Sequence, residues 1–500
     1  MSIQQLVTSG VSLLDRLNRG LDRLGYWLLL PFSIYYFAVT VRFAAGKLFW
    51  YDEIFTVRLA TLPGLGDIWA ALATGLEQLP PLTHIMVRWS QTSFGMGHVA
   101  SRLPMIVAFW VMCVCLFVIV ARRGSFAAAA VAAMFPLATN AYLYAAEARP
   151  YALMLAFGAL ACVFWIRGRD GKRWASAGLA LALAAAVSSH YYGCLLLLPF
   201  GAAQLADTWR EKRLHPWRWL AMLAGILLPL VVYSPLIASA WEQAAIQLNP
   251  QPRWSAVLGL YGSLLHWQLT TFVIVMVAGA CWSSADYFRD SGEMSLLSGF
   301  AALPMAAGAA GILVTGVLYR QYAVGVVIGF ALALGYALAM DRLRVVASPL
   351  LIGLAILFPL NATKNAQHSA TRVPPFAQQY SQPARNTQTV ATVEGVTYLP
   401  LWHYATESLR DRVVFIAGEE DVDTKDLRVF ARLFGGRIIE IDEFQASADR
   451  YLIAARIDSV VSEFERELSA GFTLRMVSRF GNYGLFRIEP ADPAHRTPPG

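Results

Sequence analysis

The chain has 500 residues, 57% of them hydrophobic and 15% charged, with a formal net charge of +7 and positive mean hydropathy. This balance excludes an ordinary soluble enzyme and a disordered chain, and it reads as a polytopic membrane protein. Residues 1–361 hold 24 Lys/Arg against 15 Asp/Glu, and residues 362–500 hold 16 against 18, so the basic excess belongs to the membrane part and no nucleic-acid-binding surface is expected.

The first 23 residues are amphipathic, with Val11, Leu13, Leu14, Leu17 and Leu21 set against Asp15, Arg16, Arg19, Asp22 and Arg23. They read as an interfacial helix feeding an uncleaved first anchor. At about 20 apolar residues per span, about eleven candidates follow. Their approximate limits are 24–44, 99–120, 125–145, 149–166, 175–190, 191–207, 219–239, 258–281, 296–318, 322–340 and 345–361. The fifth and sixth are short enough to form one broken hairpin. All five cysteines fall in apolar runs without zinc-ligand or CxxC spacing, as small buried hydrophobes do.

Basic residues in short loops orient the chain. Arg16/Arg19/Arg23, Arg122/Arg123, Arg167 to Arg173, Arg210 to Arg213 with Arg218, and Arg342/Arg344 all fall on alternate loops, on the side of the N-terminus. The loop at 282–295 shows no such bias. The N-terminus is therefore expected in the cytoplasm, with the C-terminal region in the periplasm of a bacterial inner membrane.

This topology puts "FWYDEIFTVRLA" (Phe49 to Ala60) on the outer side, in a first loop of about 50 residues that is too long for a simple turn. Two helices lying in the interface are expected there, one in "DEIFTVRLA" and one in "PPLTHIMVRWSQTSFG", where Leu82, Ile85, Met86 and Trp89 recur at helical period behind a proline. Residues 362–389 are Pro/Gln-rich and read as a linker. Residues 390–500 read as a small α/β domain. Its expected strands are "TVATVEGVTYLPL", "RVVFIAG", "RIIEID" and "YGLFRIEP"; its expected helices are "TKDLRVFARLFGG" and "DSVVSEFERELSAG". No Gly-rich phosphate fingerprint follows a strand, so the domain is assigned no catalytic role.

The outer face collects the chemistry. Asp52 follows Phe49, Trp50 and Tyr51, which hold it at the membrane surface, where partial desolvation suits a carboxylate to general-base work. Glu53 beside it is either a second reactive acid or a capping residue. Arg149 and Arg320 offer guanidinium forks at headgroup depth, the geometry a phosphate needs. His84 and Arg88, one helical turn apart, read as a solvated face, and Arg102 as either a snorkelling end residue or a ligand. A carboxylate base, two outer arginines and an aromatic cleft fit attack of a hydroxyl on a sugar whose leaving group is a lipid phosphate.

In order, "WYDE", "EQLPPLTHIMVRWSQTSFG…SRLP", "YAAEARPYALML", "SSHYYG" and "YRQYAVG" resemble the GT-C glycosyltransferases over roughly residues 25–345. The similar branch contains bacterial relatives of protein O-mannosyltransferases and the lipid A aminoarabinose and core galacturonic acid transferases. The resemblance implies a multi-span GT-C-like α-helical membrane fold and a polyprenyl-phosphate-linked sugar donor. It also implies an acidic base in the first outer loop, which maps onto Asp52 with Glu53 beside it, and an E-x-R-P-Y element, which maps onto Glu147, Arg149 and Tyr151. Relatives often carry a His or Asp before the double proline, where this chain has Glu77, Gln78 and Leu79. The expected sites are then Asp52 and Glu53 for catalysis and Glu77 and His84 for the acceptor. Arg149, Arg320, Tyr151, Tyr322, Glu147, His190 and Tyr191 are expected to bind the donor phosphate. Asp52, Glu77 and His84 are candidate ligands for a divalent cation. The expected acceptor is an envelope glycolipid such as lipopolysaccharide, another glycan or a protein. The rival readings are a transporter or flippase of lipid-linked sugars and a non-catalytic assembly scaffold.

Overall fold

A computed structural model describes residues 3–244, 253–283, 290–372, 389–417, 422–446, 451–457, 472–480 and 482–490. The chain forms two compact units, Met1–Ala45 with Gln78–Asn365 and Gly46–Glu77 with Ala366–Gly500. Of the first outer loop, expected within the 1–361 domain, Gly46–Glu77 groups with the tail and the part from Gln78 onward stays with the membrane unit.

The membrane unit is helical throughout. It opens with α1 (Ile3–Leu24) and α2 (Leu29–Gly46); α3 (Tyr51–Leu59) and α4 (Leu65–Ala73) belong to the other unit. It resumes with α5 (Leu82–Phe94), α6 (His98–Ala121), α7 (Phe126–Met134), α8 (Tyr151–Arg169), α9 (Trp174–Ser189), α10 (Leu197–Glu211), α11 (Pro216–Val232) and α12 (Ser234–Ala244). Then come α13 (Trp254–Leu265), α14 (Trp267–Ser283), α15 (Ser291–Ala301), α16 (Leu303–Ala310), α17 (Val326–Leu338) and α18 (Ala347–Arg372). Each of the eleven expected spans has a helical counterpart, and the fifth and sixth are separate helices, α9 and α10, parted at His190.

Length is another matter. Only Gly10–Gly46, His98–Ala121, Tyr151–Arg169 and Arg344–Ala370 are long and apolar enough to cross unbroken. Four bent pairs raise the number to eight if each is one span, with bends of 79°, 63°, 90° and 46°. The sharpest falls at His266, whose positive φ of 63° turns α13 into α14. Helix α18 runs on to Arg372 and occupies the first part of the expected linker, because "NATKNAQHSATR" contains no proline or glycine to stop it.

The short basic loops lie at one end of this unit, tied by carboxylates. Asp22 accepts from the Phe126 and Ala127 amides, 2.6 and 3.0 Å, at the start of α7, and pairs with Arg344. Arg123 pairs with Glu293, and Arg169 binds Asp207 and Asp290 at 2.9 Å each. Arg218 stands 3.6 Å from Asp207. The 282–295 loop, which showed no charge bias, is therefore tied to the basic end through Asp290 and Glu293.

Helix α5 buries its polar side. Thr83, His84, Ser90 and Gln91 are buried, whereas Leu82, Ile85 and Met86 are half-buried and Trp89 is exposed. An apolar stripe turned outward fits a helix bathed in lipid. His84 is consequently no part of a solvated face.

In the tail, a six-stranded sheet has the order β3-β2-β1-β4-β6-β5, with β1 Thr389–Thr392, β2 Val413–Ala417, β3 Arg437–Glu440, β4 Tyr451–Arg456, β5 Phe472–Phe480 and β6 Tyr483–Pro490. The first four are parallel; β6 pairs antiparallel with β4 and with β5. Val414, Ile416, Ile439, Ile453 and Phe486 form its core. The small α/β domain is as expected. The stretch expected as a first strand is only half strand, since Gly395–Tyr404 is a helix, and β4 and β5 are additions. The expected "DSVVSEFERELSAG" helix lies outside the described residues.

Candidate functional site

At the other end of the membrane unit, three loops far apart in sequence meet. A sharp turn, in which the Arg149 amide donates to Glu147 O at 2.7 Å, precedes Pro150 and the first turn of α8. Proline suits a helix start, where its missing N–H costs nothing. That turn places Tyr151 against Tyr144, ring centroids 4.8 Å apart, and against His190, 5.5 Å. His190 ends α9 and contacts Tyr192 and Tyr322; these two tyrosines stack at 4.0 Å with planes 19° apart. Tyr322 sits on the short turn Arg320–Ala323, whose Arg320 guanidinium lies beside the Tyr144 phenol.

The His190 imidazole is polarised by its own loop. Its Nδ1 accepts from the Tyr192 amide at 3.1 Å, which leaves the proton of the neutral ring on Nε2. Burial, followed by the nearby Arg149 guanidinium, lowers its pKa to about 3. Burial and neighbouring tyrosines push the Tyr322 hydroxyl well above its usual range. The cluster thus offers two permanent cations, a neutral imidazole and phenolic donors, the set that binds a phosphate while presenting aromatic faces to an apolar or sugar group. The backbone is tight here: a Cβ on Gly193 would lie 2.7 Å from the Ala186 carbonyl, so only glycine lets the loop return onto α9.

In the tail unit, α3 carries the two acids in its first turn, where the positive end of the helix dipole favours them. They differ in environment. Glu53 is 1% exposed; its Oε2 accepts from the Trp50 amide at 3.1 Å and lies 3.5 Å from the buried Lys47 ammonium. Asp52, one residue earlier, is half-buried. Glu77 accepts from Thr56 at 2.9 Å. The helix is seated on the tail domain. Arg58 lies 4.9 Å over the Trp402 ring and donates to His403 Nδ1 at 3.3 Å, Phe55 meets Phe430 edge-on at 5.5 Å, and the Phe49 amide donates to Tyr404 Oη at 2.6 Å.

Of the expected donor-binding residues, Arg149, Tyr151, His190, Arg320 and Tyr322 come together, with Glu147 in the same turn. Tyr192 takes the place expected of Tyr191, whose buried hydroxyl lies near Tyr233 instead. The 3₁₀ turn Tyr191–Leu196 explains this, since successive side chains diverge by about 120°. Arg102 does not snorkel: it is fully buried and donates to Ala44 O at 2.8 Å, near the end of α2. Asp52 and Glu77 belong to one unit and His84 to the other. Among the described residues no group of three His, Cys, Asp or Glu could hold a metal ion. Lys47, Arg58 and the Trp402-His403-Tyr404 run escaped sequence reasoning, although three adjacent aromatic rings in a soluble module were a signal.

Residues 78–237 match the family model for dolichyl-phosphate-mannose-protein mannosyltransferases. The whole chain is similar to the crystal structure of ArnT from Cupriavidus metallidurans in the apo state, with a TM-score of 0.62 at 14% identity, over 92% of this chain and 97% of that one. The chain carries the GT-C glycosyltransferase fold. The same ArnT bound to undecaprenyl phosphate aligns with a TM-score of 0.59, at the same identity and coverage. No curated protein sequence matches the chain. The expected GT-C superfamily, helical membrane architecture with a small tail sheet, and glycosyltransferase class are thereby borne out. Within that fold, the match over 78–237 takes in the Glu147-to-Tyr151 turn and the His190 loop but not α3.

Proposed function

We propose that the chain is an inner-membrane enzyme that transfers a single sugar from a polyprenyl-phosphate carrier to an acceptor hydroxyl on the periplasmic side. The observation that carries this reading is the convergence of Arg149, Arg320, Tyr151, Tyr322 and His190 from three distant loops. The carrier phosphate sits between Arg149 and Arg320, which stabilise the charge that develops as the glycosidic C–O bond breaks. His190 Nε2–H and the tyrosine hydroxyls donate to its oxygens.

Asp52 takes the proton of the acceptor hydroxyl as that oxygen attacks the anomeric carbon from the opposite face, so the displacement inverts configuration. Supporting this division, Asp52 retains access to solvent while Glu53 is committed to Trp50 and Lys47. The acceptor is an envelope component: a glycolipid such as lipopolysaccharide, another glycan or a protein. The ArnT complex supports the carrier, since that protein binds undecaprenyl phosphate.

The test compares envelope glycolipids by mass spectrometry in cells lacking the protein, complemented with the parent or with Asp52→Asn at matched membrane abundance. One species should lose a single sugar mass in the deletion, and only the parent should restore it. Restoration by both would remove Asp52 as the base and favour transport of lipid-linked sugars.

A further inference from the structure

At the basic end of the membrane unit, a cavity of about 1140 Å³ opens between the turn joining α8 to α9 and the turn joining α10 to α11. Its cations are of two kinds. Arg169 is saturated by Asp207 and Asp290; Arg218 stands 3.6 Å from Asp207 and donates to Gly168 O at 3.2 Å. His215 is held by Glu211, Nε2 to Oε2 2.7 Å. Lys172, Arg173 and Arg213, by contrast, are exposed and have no carboxylate partner among the described residues. Two come from one turn and one from the other, so they surround a single mouth.

Beyond the mouth the wall changes character. Ala177, Ala180, Leu220, Ala221 and Ala224 on the facing sides of α9 and α11 make it smooth and apolar. The two helices close at its far end, where Gly225 leaves no room for a Cβ against Ala180 O. Trp174, beside Arg173, and Trp217 on the rim are 61% and 73% exposed. Indole rings in such positions settle at headgroup depth.

We propose that this groove is a binding site for an anionic phospholipid of the cytoplasmic leaflet. The phosphodiester lies among Lys172, Arg173 and Arg213, and an acyl chain follows the alanine-lined wall. A free phosphate shares the headgroup chemistry but has nothing to cover that wall. The site is independent of the transfer reaction and rests only on the groove and its three uncommitted cations.

The test places the purified full-length protein in nanodiscs of phosphatidylcholine with a graded fraction of phosphatidylglycerol, and counts bound lipid by native mass spectrometry after release into detergent. The parent should retain phosphatidylglycerol. Lys172→Gln, Arg173→Gln and Arg213→Gln should each weaken retention about five-fold, and the triple variant on the order of a hundred-fold. Lys212→Gln, which makes the same charge change in the same loop outside the groove, should match the parent. Equal retention by the triple variant would overturn the proposal, as would equal loss in Lys212→Gln. Full displacement of the lipid by millimolar inorganic phosphate would also overturn it, by showing that a soluble anion is the ligand.

Discussion

Replacing Glu53 by Gln separates the two neighbouring acids cleanly. The amide oxygen of Gln can still accept from the Trp50 amide, so the helix start survives; what is lost is the charge opposite Lys47, 3.5 Å away, with the two side chains 1% and 2% exposed. At that separation and an effective dielectric of about 20, Coulomb's law gives an attraction of about 5 kcal/mol. Removing one member of such a buried pair typically costs about 3–5 kcal/mol, because the other charge stays buried without compensation. The expected loss is about 3 kcal/mol, towards the lower end, since 3.5 Å is longer than a good charged hydrogen bond. Asp52→Asn, half-buried in the first turn of α3, should lower stability by only about 0.3–1 kcal/mol through the lost helix-dipole interaction and reduce turnover by about 10²- to 10⁴-fold. Chemical unfolding in detergent, read alongside single-turnover transfer from a polyprenyl-phosphate sugar, gives both quantities. A stable Glu53→Gln protein that has lost turnover as completely as Asp52→Asn would refute the reasoning and make Glu53 the base.

Three further outcomes are expected. Arg149→Lys and Arg320→Lys should each weaken carrier-phosphate binding by about 10-fold or more, because an ammonium cannot reproduce a guanidinium fork; competition with undecaprenyl phosphate measures it, and unchanged binding in both would remove the arginines from the donor site. His190 has a folded pKa of about 3 against about 6.5 unfolded, so the unfolded chain takes up the proton first as pH falls. The folded state should therefore lose stability below about pH 6.5, by up to about 1.4 kcal/mol per unit, and His190→Gln should flatten that slope; an imidazole titrating near 6.5 by NMR would contradict this. Burial, then Arg410, lowers the Arg58 pKa to about 10, yet the guanidinium remains charged at neutral pH and holds α3 on Trp402. Arg58→Ala should lower the stability of the tail unit by about 1–2 kcal/mol and raise hydrogen exchange across α3, while leaving exchange in α8 and α9 at parent levels.

The sequence by itself determined the helical membrane class, because apolar runs of this length have no other stable use. It also determined the grouping of the loops, because lysine and arginine counts respond to the membrane and not to packing. The turns Glu147 to Tyr151 and Arg320 to Tyr322 and the loop at His190 were legible as site elements, since charged and aromatic residues at span ends stand out against an alanine-rich background. Tertiary structure decided whatever depended on direction. A 3₁₀ turn chose Tyr192 over Tyr191, and the lipid-facing setting of α5 buried His84. Bends at residues such as His266 split stretches whose composition reads as continuous. Arg102 and Glu53 showed only their charge in the sequence; which carbonyl, amide or ammonium each would meet was set by partners 58 residues away for one and six for the other. The assignment of α3 to the tail was likewise invisible, because Arg58 and Trp402 are separated by most of the chain and meet only within the folded tail unit.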